Sequence, residues 1–216
     1  MWKCHKKHSS LYSNLINNTF LSKMTTKRDI ARELARRYST MTYDELTMLE
    51  ELLIEVKFAK GEKIINEGDI CRGPMWIEKG SIREFYVKHG KEMTEHLACE
   101  HQIIMCIESL FQETPSQLQV EALEPTIIYI LPKARLEAVA MHSVNIQILY
   151  RKILEESLIT CQQHADIVRF ETSASRYDRL MKSHPELFLR VPLVHIASYL
   201  QMTPETLSRV RAKYMQ

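Results

Sequence analysis

The spacing of hydrophobic and polar positions changes twice along the chain. In TYDELTMLEELLIEV, which starts at Thr42, apolar residues recur at steps of three and four, and Thr42 with Glu45 has the pattern of a capping box. Between about 56 and 131, short apolar or alternating stretches end in turns, and all five glycines fall between Gly61 and Gly90. The pattern predicts a helix followed by a compact antiparallel β-barrel or sandwich.

A helical period returns after Pro132, and no glycine or proline follows until Pro185. A long helix needs cover for its apolar stripe, which either packs on its own barrel or pairs with a second copy of the chain. The steps of four and three between 154 and 168 are those of a heptad, so we favour a homodimer with a dimerisation helix over 136–168. The predicted seam consists of Leu149, Ile153, Leu154, Leu158, Cys161, Ala165 and Val168.

The C-terminal stretch HIASYLQMTPETLSRVRAKYMQ predicts two short helices joined by a tight turn. Thr203 and Pro204 are the residue types of an N-cap and a first helical position. At about 100° per residue, Glu205, Ser208 and Arg209 share the outward face of the second helix. We call these three residues the reading face.

The reading face has the chemistry needed to recognise base edges. Arginine can donate two hydrogen bonds to guanine, and glutamate can accept one from cytosine. We therefore assign base reading to Glu205, Ser208 and Arg209. Contacts with phosphates are assigned to Thr203, Thr206, Arg211 and Lys213. The alternative is a solvated helical hairpin in which Glu205 and Arg209 form an ion pair four residues apart.

Charge is distributed unevenly behind a net charge of +2. Residues 1–41 carry nine Lys and Arg against two acids, residues 42–168 carry twelve against twenty-one, and residues 169–216 carry eight against four. This pattern indicates that only part of the chain meets a polyanion. Residues 1–25 are basic and rich in Ser and Asn, which predicts a disordered extension, and Met24 is an alternative start.

Several functional classes lack support in the sequence. The five scattered cysteines fit reduced thiols in a cytoplasmic protein, no secretory signal is present, and the longest apolar run, TIIYIL, is too short to span a membrane. No nucleophile–base, phosphate-loop or paired-carboxylate motif indicates an enzyme. His96, His101 and Cys99 lack the His-x-His pattern of a cupin, so no metal or other cofactor is predicted, and a cupin-like metalloenzyme is a weak alternative.

The segment VPLVHIASYLQMTPETLSRVRAK resembles the C-terminal helix-turn-helix of the Crp/Fnr family of bacterial transcription regulators, and IASYL…TPETLSR is close to the Bacteroidetes-type branch. FAKGEKIINEGDICRGPMWIEKGSIREFY is similar to the β-roll of that family. The resemblance implies an α+β chain: a cyclic-nucleotide-binding-like antiparallel β-roll with N-terminal helices (26–135), the dimerisation helix (136–168) and a helix-turn-helix domain (169–216).

The resemblance also implies a function. A homodimer would bind a palindromic site in double-stranded DNA, with RNA polymerase as a further candidate partner. The base-reading Glu and Arg of the family carry over onto Glu205 and Arg209. Gln201 replaces the usual glycine of the turn, which implies a strained turn, and Pro204 replaces an Arg of some members. A β-hairpin wing is not expected after Gln216, which would weaken DNA binding.

The stretch ESLFQETPSQLQVEALEPT stands where the family has its phosphate-binding cassette. Its candidate effector residues are Glu108, Ser109, Pro115 and Ser116. Ile107 replaces the cassette glycine, and Ser116 stands near the position of the phosphate-binding Arg. Residues 92–132 hold seven acids and no Lys or Arg, so an anionic phosphate would find no cation there. We expect no cyclic nucleotide to bind in the usual way. A ligand-sensing β-roll that acts through a protein partner is the other interpretation.

Overall fold

The computed structural model describes residues 25–214. The predicted disordered extension therefore lies outside the described residues, except for its last position. The helices are α1 (Lys27–Tyr38), α2 (Tyr43–Leu52), α3 (Ile107–Gln112), α4 (Lys133–Ala140), α5 (Val144–Phe170), α6 (Ser173–Ser183), α7 (Leu187–Arg190), α8 (Leu193–Tyr199) and α9 (Pro204–Tyr214). The strands are β1 (Ile54–Phe58), β2 (Lys63–Ile65), β3 (Met75–Lys79), β4 (Ile82–Lys88), β5 (Lys91–Ala98), β6 (Ile103–Ile104), β7 (Gln119–Ala122) and β8 (Thr126–Ile130).

The strands form two four-stranded antiparallel sheets, in the orders β1-β8-β3-β6 and β2-β7-β4-β5. Trp76, Ile77 and Tyr129 are fully buried in the core that the sheets share with the surrounding helices. Gly80 makes the turn between β3 and β4 at φ +101°, and a Cβ there would lie 2.3 Å from Thr126 Oγ1. Only glycine tolerates both constraints. The predicted β-roll and the α+β fold class are confirmed.

The capping box predicted at Thr42 is present and also connects two helices. Glu45 N–H donates to Thr42 Oγ1, and the Glu45 carboxylate accepts from the Thr42 backbone N–H at 2.8 Å. The same carboxylate accepts from Ser143 Oγ at 2.7 Å and from Asn145. The hydrogen bond from Ser143, with that from the Thr42 backbone, lowers the pKa of Glu45 to about 2. Glu45 thus fixes the start of α5 against α2.

The segment after Pro132 is two helices rather than one. Pro132 stands at the N-cap of α4, which ends at Ala140, and Ser143 caps a new helix by accepting from Ile146 N–H at 3.2 Å. The long helix therefore runs from Val144 to Phe170 instead of over 136–168. A serine cap interrupts the helix without any glycine or proline.

The predicted dimer seam is wrong at Leu149 and Ile153. Both side chains are buried in the core of their own subunit, 0% and 1% exposed. They lie about 100–140° around the helix from Leu154, because the helical period carries the apolar stripe onto two faces. The N-terminal half of α5 thus packs against its own subunit, which is the alternative to the dimer seam. Leu154 is partly buried against the same core, whereas Leu158 is 69% exposed.

None of the helices within residues 25–214 combines the length and the apolar character that crossing a membrane requires.

Candidate nucleic-acid interface

Helices α6–α9, which we call the C-terminal helical unit, surround a small apolar core of their own. Tyr177, Leu187, Ile196 and Leu207 are each at most 2% exposed, and Leu97 and Leu123 of the β-roll pack against the same cluster. The T-shaped contact of Tyr177 with Phe188, at 5.2 Å between ring centroids, closes it on one side. Burial of Leu207 orients α9 and turns its opposite face to solvent.

The turn between α8 and α9 has the strain that the missing glycine predicted. Gln201 has φ +48°, a left-handed conformation that glycine adopts more easily. Two contacts hold the turn: Met202 N–H donates to Ala197 O at 3.0 Å, and Arg176 Nη2 donates to Gln201 O at 3.3 Å. Ala197 is fully buried, and its small side chain lets the two helices approach closely.

Helix α9 begins with the predicted cap. Thr203 Oγ1 accepts from Thr206 N–H at 3.2 Å, and Pro204 is the first helical residue. At the other end of the helix, Tyr214 OH donates to Asp178 of α6, and its ring lies 5.3 Å from Tyr177. The helix is therefore held at both ends against the unit.

Glu205, Ser208 and Arg209 are all exposed, as the assignment of the reading face requires. Arg209 Nη2 donates to Thr206 Oγ1 at 3.2 Å, and within residues 25–214 no ion pair of 4 Å or less joins Arg209 to Glu205. Hydrogen bonds from its own backbone N–H and from Thr203 lower the pKa of Glu205. Arg209 therefore meets Thr206 rather than the Glu205 carboxylate, although its charge also contributes to the lowered pKa of Glu205. Glu205 is an ionised acceptor and Arg209 a donor with free capacity.

The residues assigned to phosphate contacts surround the reading face. Thr203, Arg211 and Lys213 are exposed, and Thr206 is half-buried. The Thr206 hydroxyl already meets Thr203 Oγ1 and Arg209 Nη2, both at 3.2 Å. In this conformation the Thr206 hydroxyl positions Arg209, and the Thr206 backbone N–H is used in the cap of α9, so the phosphate contact of Thr206 stays a prediction.

An ion cluster joins the C-terminal helical unit to the β-roll. Arg190, at the end of α7, donates from Nη1 and Nη2 to the two carboxylate oxygens of Glu100, each at 2.7 Å, and from Nη2 to Glu124 at 2.6 Å. These hydrogen bonds raise the pKa of Arg190. A planar guanidinium shared by two carboxylates sets the angle between the two parts more tightly than one ion pair would.

Helix α8 makes a second connection, along β4 and β5. Arg83 Nη1 lies 2.8 Å from His195 Nδ1, and Arg83 also pairs with Glu92 at 2.6 Å and with Glu121. Thr94 N–H donates to Ser198 Oγ at 2.9 Å. Burial, with the charge of Arg83, lowers the pKa of His195 and keeps the ring neutral as an acceptor. The first helix of the predicted DNA-binding pair thus rests on the β-roll.

Sequence reasoning missed Arg83, Arg176 and Arg190, because each connects elements that are far apart in the chain. Arg176 Nη1 donates to Val168 O at 3.1 Å and Nη2 to Gln201 O, so it ties the end of α5 to the turn before α9. The one available signal was the position of Arg83 and Glu84 inside an otherwise apolar strand, IREFYV. Buried charges in strands require partners.

The structure does not gather the four candidate effector residues into a pocket. Glu108 and Pro115 are exposed, whereas Ser109 and Ser116 are buried and their hydroxyls form hydrogen bonds with backbone groups. Ser109 Oγ accepts from Cys71 N–H at 3.0 Å and donates to Thr114 O at 2.7 Å. Ser116 Oγ donates to Leu118 O at 2.9 Å. Their hydroxyls are thus committed to loop structure.

A buried acid, Glu84, lies beside α3, the helix in the stretch that stands where the family has its cassette. Glu84 is 2% exposed, and its Oε1 has no hydrogen-bond partner within residues 25–214. Burial raises the pKa of Glu84 to about 8, even though the Cys106 thiol at the N-cap of α3 contacts the carboxyl group. The neutral carboxyl group of Glu84 thus lies near the N-terminus of α3, the position at which a bound anion would accept hydrogen bonds from backbone N–H groups.

One cavity lies away from these residues, between β5, α5 and the turn before α9. It measures about 210 Å³ and is lined by Glu95, His96, Cys161, His164, Ala165, Val168, Arg169 and Gln201. Three of the predicted seam residues, Cys161, Ala165 and Val168, therefore border a cleft within their own subunit. His164 stacks on Tyr199 of α8 at 4.6 Å between centroids, so the cleft connects three elements.

Comparisons with known proteins agree with this architecture. Residues 55–143 match the cyclic nucleotide-binding domain family. A comparison with curated protein sequences finds no significant match. Among solved structures, FixK2 from Bradyrhizobium japonicum superposes with a TM-score of 0.65 at 19% identity, over 74% of this chain and 83% of that one.

Two further structures give the same result. A protein described as a Crp/Fnr-family transcriptional regulator, from Eubacterium rectale, has a TM-score of 0.61 at 15% identity, over 81% of this chain and 84% of its own. The c-di-GMP-responsive global regulator CLP from Xanthomonas campestris has 0.61 at 14%, over 81% and 92%. Residues 55–143 thus match the cyclic nucleotide-binding domain family, and the chain shares, over most of its length, the fold of these solved structures, one of which is described as a Crp/Fnr-family regulator.

Proposed function

We propose that this protein is a sequence-specific DNA-binding transcription regulator of the Crp/Fnr type. The observation that carries the proposal is α9: a capped helix, anchored by buried Leu207, that presents Glu205, Ser208 and Arg209 to solvent. The three side chains lie on one face within about two turns, the length that a recognition helix inserts into a major groove. Residues 169–216, with a charge of +4, supply the attraction for phosphates.

The two polar ends of the reading face suit a G·C base pair. Arg209 is exposed and holds a hydrogen bond with the neutral Thr206 hydroxyl, which a guanine can replace without breaking an ion pair. Glu205 is ionised and accepts, as contact with cytosine N4 requires. Arg211 and Lys213 flank the face and would meet the backbone on either side.

We propose a homodimer that pairs through the C-terminal half of α5. Leu154, Leu158, Cys161 and Ala165 fall within an arc of about 60° on the helix. Leu158, at one edge of this arc, is 69% exposed in the single subunit, so the arc carries apolar surface that a second copy of the chain would cover. Two reading faces related by a two-fold axis would then read a palindrome with half-sites about 10 bp apart, one helical turn.

We further propose that the protein works without binding a cyclic nucleotide in the usual way. The hydroxyls of Ser109 and Ser116 are used within the cassette, and the buried Glu84 lies at its helix. Arg83, the buried arginine of the β-roll, is committed to Glu92 and Glu121. Calorimetric titration with cyclic AMP and cyclic GMP tests this point, and saturable micromolar binding would contradict it.

The test of the main proposal is selection of bound sites from a random DNA pool with the full-length protein. We expect a palindromic motif with a G·C pair in each half-site, and the spacing of the half-sites reports on the dimer. Arg209→Ala should relax the preference at that pair, whereas the matched variant Arg169→Ala, at an exposed arginine in the last turn of α5, should keep it. No enriched motif, with retention on protein partners instead, would favour the protein-partner interpretation.

A further inference from the structure

We propose that Cys99, His184 and Glu186 form a site for a divalent cation of the zinc class, which cross-links the β-roll to the C-terminal helical unit. Cys99 Sγ lies 3.7 Å from Glu186 Oε1, and His184 Nδ1 lies 3.2 Å from the same oxygen. All three ligand atoms lie within 4.8 Å of one another. Thiolate, imidazole and carboxylate together are a ligand set that zinc prefers.

Two of the three ligand spacings match those of a tetrahedral ion, and the third, from Cys99 Sγ to His184 Nδ1, is within 4.8 Å. With Zn–S of about 2.3 Å and Zn–N and Zn–O of about 2.0 Å, tetrahedral ligands lie about 3.5 Å apart for sulfur and oxygen and about 3.3 Å apart for nitrogen and oxygen. The observed spacings of 3.7 Å and 3.2 Å depart from these values by about 0.2 Å or less. Three protein ligands leave the fourth position to water.

Each ligand is held by backbone structure on its own side. Cys99 N–H donates to Gln102 Oε1 at 2.8 Å, and its carbonyl accepts from Gln102 N–H at 3.3 Å, which fixes the turn after β5. His184 caps α6 by donating to Leu180 O at 2.8 Å, and Glu186 stands at the N-cap of α7. Little rearrangement is then needed when an ion binds.

The local charge also favours a cation. Arg190 is shared between Glu100 and Glu124, so it does not balance Glu186. Without an ion, the Cys99 thiol faces Glu186 and, at 3.7 Å, Gln102 Oε1. A bound ion would displace the thiol proton of Cys99, because the thiolate is the form that binds a metal.

The histidine pattern in the sequence did not reveal this site, because its ligands come from two parts of the chain that are 85 positions apart. His184 and Glu186 flank Pro185, and only the packing of α7 on the β5 turn brings Cys99 to them. The proposal concerns metal binding itself, and its test involves no DNA, so its outcome is separate from that of the proposed function.

Cobalt spectroscopy tests the site. The full-length, untagged protein is stripped with a chelator, kept reduced and titrated with Co²⁺. We expect one equivalent to produce sulfur-to-cobalt charge-transfer absorption in the near ultraviolet and intense visible bands of tetrahedral cobalt, both removed by Zn²⁺. Cys99→Ser should abolish the charge-transfer band. Glu186→Gln and His184→Gln should each weaken Co²⁺ binding by more than about 100-fold. Loss of a residue that only hydrogen-bonds a metal ligand weakens binding by about 10–100-fold, and loss of a ligand itself should cost more.

Two matched variants keep the assignment specific. Cys161→Ser alters the other cysteine that lies beside a histidine, with Sγ 3.8 Å from His96 Nε2 but no carboxylate ligand, and it should retain the band. Cys4→Ser excludes the terminal cysteine as the sulfur donor. A wild-type protein without a charge-transfer band, a band that survives Cys99→Ser, or a band lost in either control would overturn the proposal. Circular dichroism of each stripped variant reports folding independently.

Discussion

The histidine His96 should make stability depend on pH between about 4 and 6.5. It lies in β5 at the cleft, where Cys161 Sγ is 3.8 Å from its Nε2 and the His164 ring is 6.1 Å away. Glu95 on its own strand and Arg169 of α5 also line the cleft. Burial, with a smaller contribution from His164, lowers the pKa of His96 from 6.5 to about 4.

The direction of this pH dependence follows from the number of protons that His96 binds in the folded and unfolded states. Between the two pKa values the unfolded chain binds a proton at His96 and the folded chain does not, so acidification favours unfolding. The stabilisation is fully present above pH 6.5 and is lost as pH falls through the folded pKa. At pH 5 the difference amounts to about 2 kcal/mol, and it approaches about 3 kcal/mol below pH 4. Because the cleft is open to solvent on one side, these are upper values.

Urea denaturation at pH 7.5 and pH 5, followed by circular dichroism, measures this contribution. His96→Gln should lose about 2 kcal/mol less than the wild type between the two pH values, whatever its stability at pH 7.5. Cys161→Ala is the matched control, since it disturbs packing in the same cleft and leaves the imidazole in place. It should follow the wild-type pH dependence. Equal pH dependence in His96→Gln and the wild type would refute the reasoning.

Three further predictions concern DNA reading, the dimer and domain docking. Arg209→Ala should cost about 1–3 kcal/mol in binding and relax specificity at one base pair, as measured by gel shift with the selected site and its single-base variants; an unchanged preference would exclude Arg209 from base reading. Leu158→Asp should weaken dimerisation by at least about 2 kcal/mol, because it buries a charge in the seam. Gln163→Asp, on the other side of the same helix, should leave the molecular mass measured by light scattering unchanged. Dimers in both variants would exclude this seam. Arg190→Met should lower the free energy of unfolding, measured by urea denaturation, by about 2 kcal/mol, a value between those of exposed and buried ion pairs. Adding Glu100→Gln and Glu124→Gln to this variant should restore much of that stability. If it does not, repulsion between the two carboxylates is not the cause of the loss.

Local chemistry made much of the fold predictable from sequence. The capping box at Thr42 and the Thr203–Pro204 helix start each depend on residues within four positions of one another, and the glycine-rich strand region depends on local turns; the structure has all three. The strain at Gln201 was predictable for the same reason, because a turn that usually takes glycine needs positive φ whatever residue occupies it.

What could not be predicted depends on contacts between distant segments. Heptad spacing in α5 is the same whether a residue faces its own core or a partner, so the sequence could not separate Ile153 from Leu158. The Ser143 cap was also hidden, because one serine in a helical pattern is not a break unless its hydroxyl meets the backbone. Likewise, the acid-rich stretch 92–132 indicated repulsion of anions, but not that Arg83 and Arg190 reach its carboxylates from outside.

These long-range contacts bear on how the β-roll could influence the reading face. In the structure β5 meets α8 through Thr94 and Ser198, and α8 leads within four residues to the N-cap of α9. Arg176 ties the same turn to the end of α5, the half of that helix that we assign to the dimer. In the homodimer that we propose, a shift of β5 would therefore change the position of α9 relative to the two-fold axis through packed, hydrogen-bonded elements. In that proposed dimer, an event at β5, at the cleft or at the junction of Cys99 with α7 would be enough to change the angle between the two reading faces, without a ligand at the cassette.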